Sequence, residues 1–290
     1  MKTRHIACIL SLLFAIGCSD VRLPVASPEL VIDGWIETGK APVVMVTTTV
    51  PVGDVIGDEE ELKKYVVIWG KVTISDGERE VVLTGMKNDD YFPPYIYTTS
   101  AIKGEAGKTY SIKVEYSGRT ATAMTTIPEA VPLDNLKVRR SSSDKDSYYI
   151  TGHLKDNPDT KDYYKIFIRK HKKDSTFVPS FLGLINDDIL DSNGDEIPVN
   201  NVIDNMDREN STLFSADDYI FIRFCTLDEA SYNYWSDFDD ITMSQNPLFP
   251  VTSRIRSNIK GGLGHWSGYG ASNYRVSIPD SLALDRVYNP

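Results

Sequence analysis

Alternation of apolar and polar side chains decides most of what this chain can fold into. Tyr110, Ile112, Val114 and Tyr116 alternate with Ser111, Lys113 and Glu115, the period of a strand with one buried face. Leu30, Ile32 and Ile36 oppose Asp33 and Glu37 in the same way. Thr38-Gly39-Lys40 turns the chain into a Val/Thr-rich strand over 43–50 that stops at Pro51, since β-branched residues favour strands. Residues 66–75 and 80–83 predict a hairpin around Asp76-Gly77, and Ser117-Gly118 leads into a strand over 120–127. A single helical turn fits 58–65, where Glu59/Lys63 and Glu60/Lys64 stand one turn apart. Strands at this density predict an immunoglobulin-like β-sandwich over 29–128. Gly107-Lys108-Thr109-Tyr110 looks like its tyrosine corner.

Pro128-Glu129-Ala130-Val131-Pro132 is the expected boundary, because two prolines stiffen the connection and stop strand pairing. The remainder, 133–290, reads as a second mostly-β domain carrying one helix. Strands over 148–154 and 163–170 are expected to pair across Asn157-Pro158-Asp159. The second puts Tyr164, Ile166 and Ile168 on one face and Lys165, Phe167 and Arg169 on the other. Residues 219–225 read as a further strand. The helix is expected over 228–242, with Tyr232, Trp235, Phe238 and Ile241 as its apolar stripe. Asp228 and Glu229 suit its positive end, and Asn246-Pro247 stops it. A glycine-aromatic segment, 257–269, precedes a final strand over 274–278.

Ahead of the β region, Lys2 and Arg4 precede an apolar run from Ile6 to Ile16 broken only by Ser11. The run is too short to span a bilayer and has the form of a secretory signal over 1–17. It leads into Cys18-Ser19-Asp20, which resembles the end of a bacterial lipobox. Cys18 would then be the first mature residue, carrying diacylglycerol on its sulfur, and 18–28 a lipidated tether. Ala15-Ile16-Gly17 also fits an ordinary signal peptidase. Lipidation is favoured because Cys18 directly follows a small residue at the end of the apolar run. Two or three acyl chains anchor for good where one holds marginally.

The formal net charge of −10 becomes −12 once Lys2 and Arg4 leave with the signal. Such a body is repelled by nucleic acid and by anionic lipid, so no nucleic-acid role is expected and membrane contact is left to the anchor. Of three cysteines, only Cys225 remains in the folded body. There is no internal disulfide framework, and Cys225 reads as a small buried residue.

No catalytic or metal constellation stands out. Residues 261–268, Gly-Gly-Leu-Gly-His-Trp-Ser-Gly, lack the third glycine of a dinucleotide fingerprint and the lysine of a phosphate loop. Ser267 lacks the flanking glycines of a nucleophile elbow. A tight turn packing backbone against a sheet is expected. The alternative is ligand contact, with Trp266 and Tyr269 stacking on a flat face such as a sugar ring and His265 as a hydrogen-bonding edge. Asp191-Ser192-Asn193-Gly194-Asp195 starts like a calcium loop, but Glu196 and Val202 fill its sixth and twelfth positions. His153, His171 and His265 lack zinc spacing. The pairs Asp187/Asp188, Asp217/Asp218 and Asp239/Asp240 read as solvated loops. No cofactor is expected.

Five segments in a set order carry a resemblance. They are Leu30-Val31-Ile32-Asp33-Gly34-Trp35-Ile36, then Thr126-Ile127-Pro128 with Val131-Pro132-Leu133-Asp134, then Tyr232-Asn233-Tyr234-Trp235. Asn246-Pro247-Leu248-Phe249 and Ser257-Asn258-Ile259-Lys260-Gly261-Gly262-Leu263-Gly264 complete the set. Together they look like the Bacteroidetes lipoproteins grouped as domain-of-unknown-function family 4249, over nearly the whole mature chain. His265-Trp266 stands where that family usually has a shorter apolar residue. The resemblance implies an outer-membrane, surface-facing lipoprotein, often associated with a TonB-dependent transporter, and gives no catalytic residues to carry over. The expected function is a non-catalytic accessory or ligand-capture module for an oligosaccharide or peptide nutrient. A surface adhesin or structural lipoprotein is the alternative, and a hydrolase using clustered carboxylates has least support.

Overall fold

The computed structural model describes residues 27–51, 54, 57–142, 146–155, 157, 159–190, 194–202, 213–243 and 254–278. The signal, Cys18 and most of the tether lie outside the described residues, as do residues 191–193 and 246–249.

The described chain is mainly β. In order it forms β1 (Leu30–Glu37), β2 (Val43–Thr48), the one-turn helix α1 (Glu59–Leu62), β3 (Lys71–Ser75), β4 (Glu80–Val82), β5 (Thr84–Lys87) and β6 (Tyr95–Thr98). There follow β7 (Thr109–Tyr116), β8 (Arg119–Thr126), β9 (Leu133–Arg140), β10 (Ser147–Leu154), β11 (Tyr163–Lys170) and β12 (Val178–Asn186). The last elements are β13 (Asp195–Val199), β14 (Phe214–Ser215), β15 (Tyr219–Leu227), helix α2 (Glu229–Met243) and β16 (Leu263–Ser277).

One sheet has the order β4-β3-β7-β8, and a second gathers β13, β14 and β9 around β10. The third runs β12-β11-β15-β16-β1-β2-β6-β5 and so passes through both halves of the chain. Strand β16 makes this possible. Leu263 to Tyr269 pair in parallel with Val31 to Glu37, and Gly270 to Ser277 pair antiparallel with Tyr219 to Thr226. The tight turn expected around 261–268 is instead mostly a strand of 15 residues. Its glycines serve close approach of backbones. Gly264 has φ +102°, and a Cβ there would lie 1.9 Å from the Ile32 carbonyl oxygen. At Gly270 it would lie 2.4 Å from that of Pro128.

The first core lies between two layers. Leu30, Ile32, Val44 and Val46 of the long sheet face Val72, Ile74, Ile112, Val114 and Ala123 of the β4-β3-β7-β8 sheet. Trp266 completes this core from the far end of the chain. It is fully buried, and its Nε1 donates to the Tyr110 carbonyl at 3.0 Å. Asn258 clamps its backbone: Nδ2 donates to the Trp266 carbonyl at 2.8 Å, and Oδ1 accepts the Trp266 N–H at 3.0 Å. Residues 29–128 therefore do not close by themselves, since Ile259 and Trp266 fill their core. The Tyr110 hydroxyl donates to the Lys103 carbonyl at 3.1 Å and accepts the Glu105 N–H at 2.9 Å. That is how a tyrosine pins a corner to the backbone just upstream.

The second core packs Tyr164, Ile166 and Ile168 of β11 and Ile220 and Ile222 of β15 against Leu136, Ile150 and Ile197 of the β10-centred sheet. The expected β10–β11 hairpin does not form. The edges of β10 are taken by β9, β13 and β14, and β11 lies between β12 and β15. The intervening segment crosses from one layer to the other.

Candidate functional site

The other face of the long sheet carries the odd-numbered residues of β1, β11, β15 and β16, and α2 covers part of it. The start of α2 is fixed by Asp228. Its Oδ1 accepts the Ser231 N–H at 2.8 Å, the helix-capping bond, and its Oδ2 accepts from Thr125 Oγ1 of β8 at 2.9 Å. The apolar stripe then docks as the spacing predicts. Tyr232 stacks on Tyr163 at 4.5 Å, and Trp235 meets Phe167 edge-on at 5.3 Å. Trp235 Nε1 also donates to the Tyr269 hydroxyl at 3.2 Å. Lys165 is wholly buried beneath the helix, with Nζ 2.8 Å from Asp239 Oδ2. Burial lowers its pKa against the pull of Asp239. Asp239 thus belongs to a helix-to-sheet ion pair and not to a solvated loop. Asp218, another of the acids read as solvated, is also buried and accepts from Lys173 Nζ at 2.7 Å.

Beside α2 the same face opens into a pocket of about 450 Å³. Its aromatic walls are Trp35, Tyr91, Phe92, Phe167, Phe177, Trp235 and Tyr269, and its charged residues are Asp33, Glu37, Lys40, Arg169 and Arg223. Both halves of the chain build it. The segment carrying Tyr91 and Phe92 reaches the segment carrying Phe177, where Ser175 Oγ donates to the Asp90 carbonyl at 2.9 Å.

Charge in the pocket is unevenly partnered. Glu37 is buried, with Oε2 2.8 Å from Arg223 Nη1. Burial raises its pKa, and Arg223 and then Lys40 pull it back. Glu37 Oε1, Arg169 Nε and Arg223 Nε are buried without hydrogen-bond partners. The guanidiniums lie on aromatic faces. Arg223 is 3.9 Å from the Phe177 centroid, and Arg169 lies 4.3 Å from Phe221 and 5.6 Å from Phe177. Such contacts favour a partly desolvated cation. Asp33 lies midway along β1 and is exposed to solvent through the pocket. The protein crowded around it pushes its carboxyl up to about 6. It makes no hydrogen bond among the described residues.

The three residues singled out from the sequence part company here. Tyr269 lines the pocket, Trp266 is sealed in the first core, and His265 is 2% exposed under Tyr234, whose ring stacks on it at 4.0 Å. Trp266 therefore cannot stack on a ligand in this fold. Burial drives the His265 pKa down to about 3, so its ring is neutral. His265 Nε2 bonds Ser267 Oγ, which in turn meets Ser231 Oγ. Asp33 stands across from His265 in register. This trio nevertheless lacks an Asp–His hydrogen bond, and Ser267 is fully buried and away from the pocket wall. Cys225 is buried too, with its thiol pKa pushed up by desolvation. Among the described residues no three His, Cys, Asp or Glu side chains gather to hold a metal. No motif marks Arg169, Arg223, Phe177 or Tyr91. The alternation on β11, which sets Arg169 opposite an apolar face, is the signal the sequence carries.

Four of the five segments behind the resemblance converge on β16. The segment 30–36 is its parallel neighbour, and Thr125, beside 126–128, accepts the Gly268 N–H at 2.8 Å. Residues 232–235 cover it, and 257–264 lead into it. No curated protein matches the sequence. A family model described as Domain of unknown function (DUF4249) matches residues 20–275, and the chain belongs to that family.

Proposed function

We propose that the protein is a surface-exposed outer-membrane lipoprotein acting as a non-catalytic ligand-capture and accessory module of a TonB-dependent transporter. The pocket between the two halves carries this reading. Its volume and its mixture of aromatic walls with a few charged groups are those of a small-molecule site. Lipidation of Cys18 would confine the module beside its transporter, and the raised effective concentration would let weak contacts suffice. Against the hydrolase reading, which needs free clustered carboxylates, Asp239 and Asp218 are each held by a lysine, Lys165 and Lys173. Detergent extraction of native membranes is expected to co-purify a TonB-dependent barrel. A Cys18→Ala form is expected to lose surface display and that association. Lipidated protein recovered with no barrel would overturn the proposal.

A second reading, a surface adhesin, draws on one observation: Trp69 is 85% exposed, with Ile68 beside it 43% exposed. Exposed aromatics of this kind favour protein contacts. Binding to matrix proteins that is lost in Trp69→Ala, with no dependence on a transporter, would favour it.

A further inference from the structure

The inner part of the pocket holds more positive charge than negative. Glu37 is its buried carboxylate, 2% exposed, with Oε2 2.8 Å from Arg223 Nη1. Arg169 pairs with no carboxylate among the described residues, and its Nε is buried without an acceptor, as is that of Arg223. The two arginines belong to one site. In register, Arg169 stands opposite Phe221 and Phe167 opposite Arg223. That makes the arginines diagonal neighbours on one face, with backbones roughly 7–8 Å apart. Both guanidiniums reach the Phe177 ring, Arg223 at 3.9 Å and Arg169 at 5.6 Å from its centroid. Asp33 and Lys40 are exposed, opposite in sign and screened by water, so the inner groups set the balance.

A complementary ligand brings an anion to the guanidiniums and a donor to Glu37, whose Oε1 is buried without a partner. It also lays a flat or apolar face on the rings of Phe177 and Trp35. A carboxylate matches the planar fork of an arginine. A neutral sugar leaves Arg169 without counter-charge, and a cation is repelled by both arginines. We infer that the pocket takes small organic carboxylates with an O–H or N–H donor beside the carboxyl group, the carboxylate at Arg169 and Arg223 and the donor at Glu37. Uronic acids and N-acylated amino acids share this chemistry. The inference rests on the capture reading above and names its ligand class.

Calorimetric titration of the full mature chain in detergent tests it, with D-glucuronate against D-glucose and N-acetyl-L-phenylalanine against its amide. At least one carboxylate is expected to bind, roughly ten-fold or more tightly than its neutral counterpart, as for one charge-assisted hydrogen bond. Which carboxylate binds separates a sugar source from an amino-acid source. Cyclohexanecarboxylate and phenylpropanoate keep the respective ring and carboxylate but lack the donor. The one that matches the bound probe is expected to bind several-fold more weakly, and equal binding overturns the part given to Glu37. Arg169→Gln is expected to bring the carboxylate down to the level of its neutral counterpart. Thermal melting checks that this variant folds, and the comparison of probes on the parent chain needs no variant. Equal binding of the neutral counterparts overturns the carboxylate assignment while leaving capture standing. Absence of binding by every probe also overturns it, and the barrel co-purification then judges the accessory role separately.

Discussion

His265 and Asp33 are neighbours in register that respond to acid in opposite senses. The His265 ring is held neutral, with its pKa lowered from 6.5 to about 3. Below pH 6.5 the unfolded chain takes up a proton that the folded chain refuses. Stability therefore falls as pH falls, by at most about 1.4 kcal/mol per pH unit, until the folded pKa is reached. Asp33 has its pKa raised from 3.8 to about 6, so the folded state takes up the proton first and gains stability between those values. Its access to solvent makes this the weaker effect. Melting temperature against pH is expected to fall slowly from 6 to 3.8 and faster below. Asp33→Asn should melt higher at pH 8 and lose that stability more steeply on acidification. Parallel pH profiles for the two forms would refute the assignment. Neither role was legible in the sequence. Asp33 lies on the polar side of a recognisable alternation, but α2 and 175–179, which gather around it at the pocket, arrive from far along the chain.

Strand β16 shows how element-scale reading succeeds and fails. Where one face of a strand is buried, period-two patterning is visible, and β7 and β8 fall close to their expected positions. Where both faces are covered, the pattern fades. Residues 263–269 read as a glycine-rich turn, because glycine signals a hinge in the sequence and only the fold shows that Gly264 instead leaves room for the Ile32 backbone. Short strands beside prolines, such as β6 after Phe92-Pro93-Pro94, carry too few residues for the alternation to show. The helix was legible because Tyr232, Trp235 and Phe238 keep a regular spacing and Asp228 caps it. Gly264→Ala is expected to cost about 3 kcal/mol or more, since the new methyl meets backbone that cannot yield. Asp228→Ala should cost about 1–2 kcal/mol, measurable by urea unfolding. A Gly264→Ala protein as stable as the parent would contradict the close pairing of β1 and β16.

At the scale of the whole molecule, the long sheet runs through both halves of the chain. The proline-marked boundary predicts two domains, each with its own core. The prolines are there, but Thr125 to Asp228, Val131 to Thr226 and β16 tie across them. Trp266→Ala, which vacates the first core, is expected to destabilise by roughly 3–5 kcal/mol. Calorimetry should give a single transition for both forms, shifted together. Two separated transitions, with only the first moved by Trp266→Ala, would mean that the halves unfold independently. The order in which the parts are made also matters. Residues 30–37 emerge early and 263–277 late, yet they lie side by side at the centre of the sheet, a long-range pairing of the kind that forms slowly. Until the tail arrives, the early layers keep an open edge and an empty slot the size of an indole. If the chain is exported as proposed, it must reach the channel before collapsing into its final form, and this topology would supply the delay by itself.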